Sequence, residues 1–80
     1  MTHTILRLPD IKTITGLSRS TIYLRIAQGL FPKPVSLGAR AVGWPATEVA
    51  AINAARISGR SNPEVHEMVV RLEASRKSAE

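Results

Sequence analysis

Two short apolar-periodic segments between Asp10 and Leu30 meet at the tight joint Thr15-Gly16-Leu17-Ser18, and no other feature restricts the fold of this chain as much. Pro9 suits a first helical turn and Asp10 complements the positive end of the helix dipole, so the spacing predicts a helix from about Pro9 to Thr15. Gly16 is a left-handed stop and Leu17 plugs the joint. Ser18 is placed to cap the free amides of a second helix, Arg19 to Gln28, which stops in turn at Gly29. Ile11, Ile14, Leu17, Ile22, Ile26 and Leu30 form the apolar set expected to pack the two helices together. Two helices closed over so short a joint read as a helix-turn-helix.

The period changes after Leu30. Phe31-Pro32-Lys33-Pro34 is barred from helix, because its prolines remove donors and force their predecessors into extended backbone. Val35-Ser36-Leu37 and Ala41-Val42-Gly43-Trp44 alternate in part, and the intervening Gly38-Ala39-Arg40 predicts a hairpin with its tip at Gly38. Pro45 opens a further helix with Glu48 in its first turn and Val49, Ile52 and Ile57 among its apolar positions. Ser58-Gly59-Arg60-Ser61-Asn62 reads as a linker, with Asn62 as cap and Pro63 in the first turn of a last helix ending near Lys77. The expected fold is mainly α with a small β-hairpin: a winged helix-turn-helix over residues 1–60 and a C-terminal helix within 61–80.

Eighty residues make one small domain with little structure from which to build a catalytic cleft. His3 falls in a frayed terminus and His66 among exposed glutamates. Neither has a second ligand or base at a usable spacing, and no glycine-rich phosphate loop or paired carboxylates occur, so no enzyme, metal or cofactor is expected. The absence of cysteine fits a reducing cytoplasm. Met1 to Leu8 lack a signal-peptide core, and no apolar run approaches the ~20 residues of a membrane span, so a cytoplasmic protein is expected.

The net charge of +5 is unevenly placed. Residues 1–60 carry eight basic side chains and only Asp10 and Glu48 as acids, a balance of +6, whereas residues 61–80 stand at −1. A basic helix-turn-helix calls for a phosphate backbone as partner, and therefore double-stranded DNA. A turn of about 100° per residue groups Ile22 with Ile26 and puts Ser20, Leu24 and Gln28 on the opposite face, with Thr21 at its edge. The N-terminal half of such a helix meets base edges, which selects Arg19, Ser20, Thr21 and Leu24 for reading and Ser18 beside them. Arg19 lies at the angular edge of the core, but from the first turn it reaches forward past the helix end. Tyr23 and Arg25, on the two borders of the face, suit phosphate contact, as do Lys33 and Arg40 on the hairpin. Phe31 and Trp44 are read as core, which removes the exposed aromatics that single-strand binding requires.

Three linked blocks, Gly16-Leu17-Ser18-Arg19-Ser20-Thr21-Ile22-Tyr23, Gly29-Leu30-Phe31-Pro32-Lys33-Pro34-Val35 and Leu37-Gly38-Ala39-Arg40-Ala41-Val42-Gly43-Trp44, closely resemble the AlpA family of small phage and prophage regulators. The resemblance covers about Ile5 to Ile57. It implies a MerR-like, excisionase-type winged helix-turn-helix with its recognition helix at 19–28 and its wing at 34–44. The implied role is in transcription, or in excision of a mobile element beside an integrase. Leu24 departs from the arginine or other polar residue that family members often carry there. A leucine cannot hydrogen-bond a base, though it can touch a thymine methyl.

Val65, Met68, Val69 and Leu72 form an i, i+3, i+4, i+7 stripe on the last helix, with Glu67/Arg71 and Glu73/Lys77 as supporting pairs. The stripe suits either the chain's own core or a second subunit, and the two-fold symmetry of many DNA sites favours the latter, making it a candidate homodimer interface. Three functions fit: a sequence-specific regulator, an architectural excision factor that bends DNA, and a protein-interaction module with an incidental basic face. No small-molecule effector is evident.

Overall fold

The computed structural model describes residues 4–76. In chain order these form β1 (Ile5–Leu6), α1 (Leu8–Thr15), α2 (Arg19–Ala27), β2 (Val35–Gly38), β3 (Ala41–Pro45), α3 (Ala46–Ile57) and α4 (Asn62–Ser75). The architecture is mainly helical with a small antiparallel sheet, compatible with a winged helix-turn-helix followed by a C-terminal helix.

Local chemistry sets the first half. The Asp10 carboxylate accepts the Arg7 N–H at 3.1 Å and closes the start of α1. Gly16, at φ 72, ends that helix by donating its N–H to the Lys12 carbonyl, a conformation a β-carbon would penalise. The Thr15 hydroxyl tightens the joint by donating to the Ile11 carbonyl and accepting the Leu17 N–H. Ser18 then caps α2 by accepting the Thr21 N–H. Ile11 and Ile22 are fully buried, with Leu17, Ile26 and Leu30 packed against them. Ile14 is not: it stands 44% exposed. An eight-residue helix offers the core one fully covered position, Ile11, and Ile14 in its last turn lies beyond that cover.

β3 is the central strand of three, in the order β1-β3-β2. The hairpin register pairs Val35 with Gly43, Ser36 with Val42 and Gly38 with Ala41, with an irregularity between Ser36 and Gly38. The turn is therefore Ala39-Arg40, one step beyond the expected tip at Gly38, and Arg40 takes a left-handed φ of 63. β1 pairs Ile5 with Pro45 and Leu6 with Trp44. It crosses so close to Gly43 that a β-carbon there would run into the Ile5 side chain and the Leu6 carbonyl. Trp44, fully buried, donates its indole N–H to the Pro32 carbonyl at 2.9 Å and meets Phe31 edge to face. Both aromatics are core.

α4 packs on α3, and Val65 and Val69 are 0% and 3% exposed within the chain's own core, with Met68 and Leu72 packed against it. For Val65 and Val69, which face the chain's own core, this corrects the expectation that the stripe Val65, Met68, Val69, Leu72 faces a second subunit; Met68 and Leu72 are only partly covered. An 80-residue chain has little apolar surface to close its core, and α4 supplies what residues 1–60 lack. The cap of α4 is Ser61 rather than Asn62: Ser61 accepts the Glu64 N–H, and Glu64 accepts the Ser61 N–H in return. Asn62 instead accepts from the Arg56 guanidinium at 2.8 Å. Glu48, in the first turn of α3 as expected, is buried and doubly bonded by Arg76 at 2.9 and 2.6 Å. The expectations for His3 and Lys77 fall outside the described residues. Among those residues no helix is long and apolar enough to cross a membrane.

Candidate nucleic-acid interface

The surface of α2 opposite Ile22 is open. Ser20 and Leu24 are exposed, Leu24 at 56%, and Thr21 is half-buried at the edge of that face. Its N-terminal hydroxyls form one cluster: Ser18 donates to Thr21 Oγ1 at 3.0 Å and lies 3.3 Å from the Ser20 hydroxyl. The oxygen that caps the helix thus also orients the two side chains placed for reading. Arg19 is exposed, but its guanidinium lies over the Tyr23 ring, 5.6 Å from the centroid, rather than reaching forward past the helix end. A cation over an aromatic face one turn away is a favourable i, i+4 arrangement, and it holds the guanidinium at the N-terminal half of α2. Tyr23 itself is 38% exposed.

Arg25 turns to the other flank. With Thr15, Leu17, Leu30, Phe31, Ile52, Asn53 and Arg56 it lines a cavity of about 180 Å³ between the helix-turn-helix and α3. Arg56, not singled out from the sequence, has its pKa held below the ordinary guanidinium value, first by burial and then by the charge of Arg25. Its Nη2 atom is buried without a hydrogen-bond partner among the described residues. No short motif flags this pair, because 31 positions separate its members in the chain.

Lys33 is exposed, and α4 with its C-cap residue Arg76 holds both of its backbone polar groups. The Glu73 carboxylate accepts the Lys33 N–H at 2.8 Å, and Arg76 donates to the Lys33 carbonyl at 2.7 Å while also gripping Glu48. Glu48 raises the Arg76 pKa above its ordinary value, so the guanidinium stays charged throughout the accessible range. Glu73 therefore anchors the root of the hairpin. A shallow groove carries Lys33 beside Ile26 and Ala27 of α2, the C-cap Gln28, and His66 and Glu73 of α4. His66 is exposed as expected but not idle: its Nδ1 lies 2.9 Å from the Gly29 carbonyl, where α2 ends. A second groove runs along α1 from Pro9 past Lys12 to Gly16 and Ser18, which adds Lys12 to the cations near the joint. Arg40 stands exposed at the hairpin turn. Among the described residues no three His, Cys, Asp or Glu side chains are grouped to hold a metal.

Residues 4–56 match the family model described as "Prophage CP4-57 regulatory protein (AlpA)". The chain belongs to the AlpA family. The match spans the strands, the helix-turn-helix and nearly all of α3, and it stops short of α4. A relative of this AlpA chain, "Uncharacterized protein ORF88" of Enterobacteria phage P4, is 53% identical over 55 residues, 69% of this chain and 62% of that protein. The chain thus spans less than two thirds of the relative's length. No solved structure matches this AlpA chain.

Proposed function

We propose that this AlpA-family chain is a DNA-binding transcriptional regulator of a prophage or related mobile element, laying α2 in the major groove of double-stranded DNA. The observation that carries the reading is the exposed face of α2. A helix held rigidly by a capped joint and a buried Ile22 presents Arg19, Ser20, Thr21 and Leu24 outward, with no acid on the same helix. Arg19 is assigned to a guanine edge, where a bidentate pair gives ~1–3 kcal/mol of discrimination. Ser20 and Thr21 are assigned to neighbouring bases. Ser18, Tyr23, Lys33 and Arg40 are assigned to phosphates, which fix register without reading sequence. Arg25, which lines the cavity with Arg56, is left out of the groove contacts. Arg40 supports the wing assignment in its own way. A non-glycine residue kept at positive φ on an exposed turn points to a use for its side chain.

The exposed Leu24 favours a second reading, an architectural excision factor that bends DNA beside an integrase and reads few bases. Footprinting separates the two. One or two short protections at a promoter support the regulator, and repeated sites with hypersensitive bends support the excision factor. No protection at low salt sinks both and leaves a protein-interaction module. Because Val65 and Val69 are buried in the chain's own core, two copies on a two-fold site would have to meet through residues other than these.

A further inference from the structure

The cavity between α1, α2 and α3 has an unusual lining. Leu17, Leu30, Phe31 and Ile52 make its apolar wall, Arg25 and Arg56 complete the lining, and no carboxylate is part of it. Its volume of about 180 Å³ is on the order of six times the ~30 Å³ that one water takes in the liquid. Arg56 Nη1 is committed to the Asn62 side chain, whereas Nη2 is buried with both protons unclaimed. An unsatisfied buried donor is costly, and a charged one more so. The nearby Arg25 charge adds repulsion, as the lowered Arg56 pKa reflects after the effect of burial. One anion between the two guanidinium groups would cancel that repulsion, and a turn of the Arg56 side chain would bring the orphaned donor to it. Apolar walls lower the local dielectric and strengthen that attraction.

We propose that this cavity is an oxyanion site, which takes one carboxylate or phosphate group between Arg25 and Arg56. The head group sits between the two guanidinium groups, and Leu17, Leu30, Phe31 and Ile52 enclose whatever apolar body the anion carries. Two sources share this chemistry: a free small acid, and a phosphodiester of bound DNA passing the Arg25 flank of α2. The site does not depend on the DNA-binding assignment, since a free acid would occupy it in a chain that binds no DNA.

The test is a titration of the ¹⁵N-labelled full chain with benzoate, and separately with inorganic phosphate, at constant ionic strength. The Arg Nε–Hε signals and the backbone amides report the site. The expected result is saturable shifts confined to Arg25, Arg56, Leu30 and Phe31, weakened at least ~10-fold by Arg56→Met, the scale of one charge-assisted hydrogen bond. Arg25→Gln, altering a side chain on the flank of α2, weakens them too and serves if Arg56→Met does not fold. Repeating the titration with a duplex distinguishes the sources. Benzoate shifts that persist beside DNA assign the site to a free acid, and a duplex that itself moves the Arg56 signal and displaces benzoate assigns it to a phosphodiester. The proposal is overturned by non-saturating shifts with both anions together with an Arg56 signal unmoved by duplex, or by binding that keeps its strength in Arg25→Gln. A chain that takes benzoate but no duplex retains this site and loses the DNA assignment.

Discussion

At the residue scale, the side chains that hold the fold and those proposed to meet DNA are largely different ones, and substitution can therefore separate them. Leu24 is 56% exposed on the outer face of α2 and packs on nothing in the core. Leu24→Ala should leave the thermal midpoint unchanged, as surface changes of this kind stay within about 0.5 kcal/mol, while lowering affinity for thymine-bearing sites in a binding titration. Arg40 gives a sharper separation. Asparagine tolerates the left-handed φ of 63 better than arginine does, so Arg40→Asn should hold or slightly raise stability while weakening cognate and random duplexes alike and lowering the salt slope by about one. Gly29 is the opposite case: its φ is 74, and a β-carbon there would sit 2.5 Å from His66 Nδ1. Gly29→Ala should cost more than ~1 kcal/mol, read as a drop of several degrees in the thermal midpoint.

At the scale of elements, the helix-turn-helix and the hairpin were legible because their signals are local. Caps, left-handed glycines and a change of period lie within a few residues of what they control, as at Ser18, Gly16 and the two prolines after Phe31. What was not legible depends on distant partners. β1 has two residues, too few to show alternation, and its place beside β3 follows from Gly43 leaving room for Ile5. The α4 stripe fitted two destinations equally well as a pattern, and only the packing of Val65 and Val69 decides between them. Arg76 meets Glu48 across 28 positions and fastens the hairpin root at Lys33. Arg76→Gln leaves the buried Glu48 without its cation, so it should lose about 2–4 kcal/mol on thermal unfolding and speed hydrogen exchange in the hairpin amides. The double replacement of Glu48 and Arg76 by methionine should recover most of that loss. The cap of α4 carries a pH signature. Hydrogen bonds from Ser61 hold the Glu64 carboxyl below the usual carboxylate range, so its contribution is present above the unfolded-state value and disappears as pH falls through the folded one. Glu64→Gln should remove that part of the acid dependence from a melting series run across the carboxylate range.

At the scale of the whole molecule, α4 unites what the charge distribution divides. The basic part carries the candidate contacts, and the C-terminal helix closes its core and holds the hairpin root in place. Stability and presentation of the wing are thereby linked, although α4 lies outside the family match. The central claim is that α2 reads base pairs while Lys33 and Arg40 hold the backbone, and selection of bound duplexes from a randomised library tests it most directly. The wild-type chain should enrich one motif, Arg19→Ala should lose preference at one or two base pairs of that motif, and Arg40→Asn should keep the motif at uniformly lower affinity. A library with no enrichment, or the same motif at full information from Arg19→Ala, would contradict it.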